Sequence, residues 1–558
     1  MRPSRILLAI AATPAFAASQ GPAAVRDYHP GINAEHYAFH VVIPDTGRRV
    51  SVTTVAYIRR SRAVDTLRLD LHSAMRVSRV TVNAREATFA RDSTSVRIAL
   101  PRWNRAECEN PRPSTVDRPD RCLDWVSVDA AGVPANGLII SQDARGRWLY
   151  FADHWPNRAR FWLPVIDHPS DKATVEWRVH APATSRVIAN GRLREDRNPL
   201  PNEPGRAITA WRSDMPIPTY LMVIGVAPMA RIDLGATACG FAELGGCVDQ
   251  DVYEAPELAP RTPPGFAAAG RIVEWLSRTV GPFPYEKLSH VQSSTRFGGM
   301  ENASAIFYSD AAFRNMTLGE GLVAHETAHQ WFGNAVTAAR WADLWLSEGF
   351  ATYFAALWER EARGDSAFRA AMAGIKQRIV NAPVVRDRPV VDSTQTDLMA
   401  LLNANSYQKG GFVLHMLRRQ VGDSAFARGI RAYYAAHKHG NATSADLQRA
   451  TERFATGSLG WFFAQWLTRP GFAELSVAWD HAADGAVTVR VSQSSRFGAY
   501  RLSLPVAVDQ ADGSVARHVL DIPANAQASA VLPARYSVRP RALRFDPDGD
   551  LLAIITQR

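Results

Sequence analysis

Two histidines four residues apart, His325 and His329, enclose Glu326 in the run Val323-Ala-His-Glu-Thr-Ala-His-Gln-Trp-Phe-Gly333. On a helix that spacing puts both imidazoles on one face. Two neutral imidazoles so placed grip a divalent metal, and Glu326 stands beside the metal without binding it, which is the His-Glu-x-x-His arrangement of zinc-dependent hydrolysis. A catalytic zinc takes three protein ligands and keeps one position open for water, so a third donor must come from a neighbouring element. Glu348, after eighteen intervening residues, is that donor. The expected cofactor is one zinc ion.

The elements that must position these groups are legible nearby. Thr317 followed by Glu320 reads as a capping box that starts the first helix, and Gly333-Asn334 reads as its stop. Trp341 to Trp358 reads as a second helix, whose antiparallel return brings Glu348 back to the histidines. Asp343, near its start, is either an N-terminal helix charge or a partner for a metal-bound histidine.

Away from the site the chain divides by pattern. From about residue 35 to 230 the runs alternate with period two: Val50 to Ile58, Leu67 to Leu71, Val80 to Val82, Val96 to Ile98 and Val175 to Val179,. Near 260 the periodicity becomes helical and stays mostly so to about 468. The last ninety or so residues return to strands, with hairpin signals at Asp484-Gly485 and Asp512-Gly513,. The expectation is a multidomain α+β protein: an N-terminal β domain over 30–230, a mainly helical catalytic domain over 231–470 and a C-terminal β-sandwich over 471–558.

Three motifs in order resemble the aminopeptidase N family of zinc metallopeptidases, the gluzincins that include leukotriene-A hydrolase. Gly298-Gly299-Met300-Glu301-Asn302 resembles the family's exopeptidase motif. His325-Glu-x-x-His329 with Glu348 matches its zinc signature, and Tyr407-Gln-Lys-Gly410 resembles the segment with its catalytic tyrosine. The stretches from Leu163 to Lys172 and from Trp466 to Gly471 resemble further parts of it, so the likeness runs over about 35–475. It implies a β saddle, a thermolysin-like catalytic domain and a β-sandwich. It also implies an enzyme that removes amino-terminal residues from peptides with a free amino terminus. Glu326 is then the general base, Tyr407 the oxyanion donor, and Gly298, Gly299, Met300 and Glu301 the substrate-binding segment, with Glu301 on the α-ammonium. The alternatives are a zinc endopeptidase or other hydrolase on this scaffold, and a catalytically silent binding scaffold.

One position departs from the family. Where relatives place a second amine-holding Gln or Glu, a gap-free count from Asp167 gives Trp155, which offers only a ring face to a cation. Asp153 is the neighbouring carboxylate and stands as the candidate substitute.

The rest of the sequence bounds the setting. The formal charge of +10 is spread along the chain, and only five of the 64 basic residues are Lys. No basic block interleaved with aromatics suggests nucleic-acid binding. Arg2 and Arg5, the apolar Ile6 to Ala12 and Ala15-Phe16-Ala17 form a signal-peptide pattern, cleaved near Ala17 for export to the periplasm or outside. That apolar run is well short of the roughly 20 residues a bilayer span needs, so no stable membrane insertion is expected. Four cysteines fall into two local pairs, Cys108 with Cys122 and Cys239 with Cys247, read as loop disulfides,.

Overall fold

The computed structural model describes residues 28–103, 122–238 and 247–558. The expected leader, Cys108 and Cys239 lie outside these residues. Cys247 carries a free, exposed thiol, which corrects the expected Cys239–Cys247 bridge. It opens a strand in register with Ala238.

The N-terminal part is built on an eight-stranded sheet in the order Arg192–Pro199, Arg206–Pro218, Lys172–Pro182, Ile32–Val42, Val50–Arg60, Leu123–Gly132, Met75–Val82, Arg85–Glu86. The alternation read in Val50–Arg60 is a burial alternation, with Val50, Val52, Ala56 and Ile58 inside. Phe39 packs on Trp177 across the parallel pair Ile32–Val42 and Lys172–Pro182, ring centroids 4.5 Å apart. A second sheet of four strands contains Trp148–Ala152, and the chain leaving that strand runs straight into Asp153, His154 and Trp155.

The middle of the chain carries a five-stranded mixed sheet that the sequence reading assigned to helix-rich territory. Its strands are Ala230–Ala238, Cys247–Glu254, Lys287–Ser293, Ala305–Ser309 and Gly299–Met300. Every residue of Lys287–Ser293 is buried, so the strand shows no in–out alternation and its period is invisible in sequence. Five helices surround the site: α1 (Ala269–Thr279), α2 (Glu320–His329), α3 (Trp345–Arg363), α4 (Asp365–Asn381) and α5 (Gly410–Val421). The capping box is not formed. Helix α2 starts after Gly319 without a side-chain cap, because Glu320 instead accepts from the Trp358 indole at 2.8 Å and from Arg363 at 2.6 Å on α3. A 3-10 turn at Trp341–Asp343 precedes α3, which runs on to Arg363, past the expected end.

The C-terminal part has two antiparallel hairpins where the Asp-Gly pairs stand. Ala473–His481 pairs with Val487–Gln493, and Leu502–Asp509 with Val515–Ile522. They belong to a four-stranded and a three-stranded sheet whose inward valines and leucines join the common core. No helix among the described residues is long and apolar enough to cross a membrane.

The N-terminal part grips the loop that follows α2. Lys172 is buried, and its Nζ donates to the carbonyls of Asn334, Ala335 and Gly440 at 3.0, 2.9 and 3.0 Å. The Tyr220 hydroxyl donates to the Gly333 carbonyl at 3.2 Å. Lys172→Met keeps the stem, removes all three donors and strands buried carbonyls, so it is expected to destabilise the fold by about 2 kcal/mol. The check is the unfolding midpoint in urea; an unchanged midpoint would show that this tie carries no stability.

Candidate metal centre

Helices α2 and α3 bring the three predicted donors to one point. His325 Nε2 and His329 Nε2 lie 3.2 Å apart. Glu348 Oε2 lies 3.6 Å from the first and 3.3 Å from the second. A metal about 2.0–2.1 Å from tetrahedral nitrogen and oxygen donors sets those donors about 3.3–3.4 Å apart. The geometry therefore fits zinc without rearrangement. Burial supports the same reading. Glu326 and Glu301 sit beside the cluster, with ligand-type atoms of Glu301, Glu326 and His329 all within 4.8 Å of one another.

Three buried carboxylates around two imidazoles need positive charge at their centre. Burial pushes Glu326 up to about 8, the His329 imidazole opposing and the other two carboxylates adding to it. Glu301 is pushed up to about 7, again by burial first. Burial would also raise Glu348, but His329 and His325 hold it down at about 2. Burial would lower His329, yet Glu348 and its neighbours hold it up at about 10. Protons here supply the charge that a divalent cation on the same donors would supply.

His329 is oriented by groups the sequence reading missed. Its Nδ1 lies 3.2 Å from the Phe332 carbonyl and 3.0 Å from Ser347 Oγ. Nδ1–H donates there, which leaves Nε2 bare for a metal. Asp343 is no histidine partner: it sits in the 3-10 turn that leads into α3, an acidic group at the helix's start, buried against Arg340 at 2.7 Å and accepting from Ser444 Oγ at 2.6 Å. Ser347 precedes Glu348 directly, and that adjacency was the available signal.

Tyr407 reaches the cluster from a π-helical turn, Asn405–Lys409, in which Lys409 N donates to Ala404 O at 2.8 Å. Its ring lies nearly parallel to that of His325, centroids 6.0 Å apart. Burial, and after it the Glu348 carboxylate, raise the phenol well above its ordinary range, so it stays a donor,. Two glycines allow this closeness: a Cβ on Gly349 of α3 would stand 2.8 Å from the Gly410 carbonyl carbon at the start of α5. Below, Lys409 Nζ caps the Arg469 carbonyl at 3.0 Å, which ties the turn to the Trp466–Gly471 stretch.

Gly298, Gly299, Met300 and Glu301 all line the same cleft. A Cβ on Gly299 would lie 2.3 Å from a Glu326 carboxylate oxygen, so only glycine leaves room for that side chain,. Gln330 and Asn334, also unforeseen, hold the segment from α2 and its following loop. Their amides donate to the Glu301 carbonyl at 2.9 and 2.6 Å. Asp153 is a correction. It is 1% exposed, its carboxylate faces Arg158 at 2.6 Å, and it does not line the cleft. The chain has left the strand here: the Arg158 guanidinium holds Asp153 inside, and Trp155, two residues on in the following turn, lines the cleft wall, edge-on to Trp341 and Phe297.

Residues 266–466 match the Peptidase family M1 domain and residues 137–221 the Peptidase M1 N-terminal domain. The chain belongs to peptidase family M1. Among curated relatives, Probable aminopeptidase 1 of Saccharolobus solfataricus is 28% identical over 350 residues, covering 57% of this chain and 41% of that protein. The Leucyl aminopeptidase of the same organism is 26% identical over 399 residues, covering 65% and 46%. The chain thus spans about half the length of the curated relatives it matches. The M1 zinc metallopeptidase from Deinococcus radiodurans superposes with a TM-score of 0.67 at 26% identity, over 79% of this chain and 94% of that one.

Ser347→Ala removes one of the two acceptors for His329 Nδ1 while leaving the Phe332 carbonyl. Zinc affinity, read by competition with a chromophoric chelator, is expected to fall about 10-fold. An unchanged affinity would place the orientation of His329 on the carbonyl alone.

Proposed function

We propose that this M1-family chain is a zinc aminopeptidase that hydrolyses the first peptide bond of peptides with a free amino terminus. One observation carries the reading: Glu301, with no metal-ligand role in the three-donor set, presents a carboxylate to the cleft within 4.8 Å of Glu326 and His329. A carboxylate at that range from the hydrolytic centre pairs with an α-ammonium only one residue away from the bond to be cut. The aminopeptidase names of the relatives, and a Deinococcus radiodurans mutant enzyme bound to a Tyr-Ser-Ala substrate, support the same substrate class.

His325, His329 and Glu348 would hold one zinc ion, which supplies Lewis acidity at the scissile carbonyl and a bound water acidified toward about 7. Glu326 then takes the proton of the attacking water and returns it to the departing amine. Tyr407 donates its hydroxyl hydrogen to the carbonyl oxygen as negative charge grows there. Glu301 fixes the ammonium and so makes the enzyme count from the amino end. Met300 and Phe297 present apolar surface to the first side chain, and Trp155 offers its ring to the ammonium where a second carboxylate is missing. Export after cleavage near Ala17 is part of the same proposal and rests on the leader pattern.

The endopeptidase reading gains from one feature, since Asp153 is turned away and Glu301 alone faces the amine. A single pair of peptides separates the two. Amino-terminal acetylation is expected to reduce kcat/KM by at least about 100-fold, as the buried Glu301 loses its charged partner. Equal cleavage of free and acetylated peptide would contradict the aminopeptidase. Tyr407→Phe is expected to lower kcat by about 100- to 1,000-fold with little change in KM; a KM effect alone would assign Tyr407 to binding.

A further inference from the structure

The cleft holds a second feature suited to a substrate end. Besides Glu301, Glu326 and Glu348, its acidic lining includes Glu359, which Arg363 engages at 2.6 Å. Among the described residues one arginine and no lysine lines this acidic space, and that is Arg378. It lies exposed on α4 and takes no part in an ion pair of the fold. A guanidinium left free in a cleft of carboxylates is a group waiting for an anion.

Its position is set by the helices. α3 and α4 form a hairpin about Gly364. Glu348 stands about sixteen residues before that turn and Arg378 about fourteen after it, so at about 1.5 Å per residue the two are nearly level along the hairpin. The strand carrying Met300 packs against α2, α2 against α3, and α3 against α4. Glu301 and Arg378 therefore approach the three donors from opposite sides. The face of α4 that leads to Arg378 carries Ala370, Ala371 and Gly374, and a Cβ on Gly374 would meet nothing within 4 Å. Ile375 is the one large apolar side chain that this helix adds to the wall. The helix is also anchored: Lys376, two residues before Arg378, pairs at 3.1 Å with the buried Asp546 of the C-terminal sheets. At about 620 Å³ the cleft is of a size that takes a ligand of a few residues,.

We propose that Arg378 is a carboxylate-binding residue on the leaving-group side, which makes short peptides with a free carboxyl terminus the preferred substrates. The inference rests on the aminopeptidase reading and names its substrate class. The guanidinium fork takes a carboxylate with two parallel hydrogen bonds, and away from the donor cluster no other cationic side chain among the lining residues offsets the repulsion on a product carboxylate,. The same fork would take an Asp or Glu side chain placed one residue past the cut.

Three peptides test this: Leu-Gly-Gly as the free acid, Leu-Gly-Gly amide and Leu-Glu amide, with kcat/KM measured for the wild-type protein, R378Q and R378K. The wild type is expected to prefer the free acid to Leu-Gly-Gly amide by about tenfold. R378Q is expected to bring that ratio close to one, mainly through KM, and R378K to keep part of it. Preference for Leu-Glu amide over Leu-Gly-Gly amide, lost in R378Q, would assign the carboxylate to a side chain and still support the anion site. Wild-type enzyme that cleaves acid and amide equally, or R378Q that keeps the full preference, overturns the role of Arg378 while the aminopeptidase stands. Failure of the wild type to cleave any of the three overturns the underlying reading as well.

Discussion

Three donor atoms held 3.2 to 3.6 Å apart inside the protein are the constraint on which the rest depends. Two imidazoles and a carboxylate at that spacing, with two more carboxylates behind them, would repel and dehydrate one another without a positive charge between them. The fold resists that strain by bracing from three directions. The N-terminal sheet holds the loop after α2 through Lys172 and Tyr220. The Gly299–Met300 strand lies so close to Glu326 that no β-carbon fits between them, and the glycine contact between α3 and α5 seats Tyr407 over the ligands.

The scarce lysines make the same point. Of the five in the chain, Lys172, Lys287 and Lys409 are buried with their ammonium groups on backbone carbonyls, although arginine is used almost everywhere else. A compact ammonium points three donors into a small space where carbonyls converge, which a planar guanidinium fork cannot do. Each of the three pins a segment that shapes the site: the loop after α2, the strand pair around Ser304, and the turn of Tyr407. Arginine dominates where the partner is a surface carboxylate, as in the pairs of Arg363 and Arg418.

Much of this was legible because the chemistry is local. His325, Glu326 and His329 share one helix, and Glu348 lies on the next, so spacing alone placed them together. Alternation exposed the outer strands and Asp-Gly marked the C-terminal hairpins. What sequence could not yield depended on burial or on distant partners. Lys287–Ser293 is buried throughout and so carries no period. Glu320 abandoned the expected cap for Trp358 and Arg363, residues some forty positions on. Asp153 was a sound choice by distance along the chain, but its carboxylate is taken by Arg158, five residues on, and buried away from the cleft.

The most direct test is the metal itself. Protein purified without chelator, shown to be folded by its circular dichroism, should contain or take up one zinc per chain. X-ray absorption should give two nitrogen and one or two oxygen neighbours at about 2.0–2.2 Å. A folded sample that neither carries nor binds zinc, or one that binds it equally well after Glu348→Ala, would contradict the account.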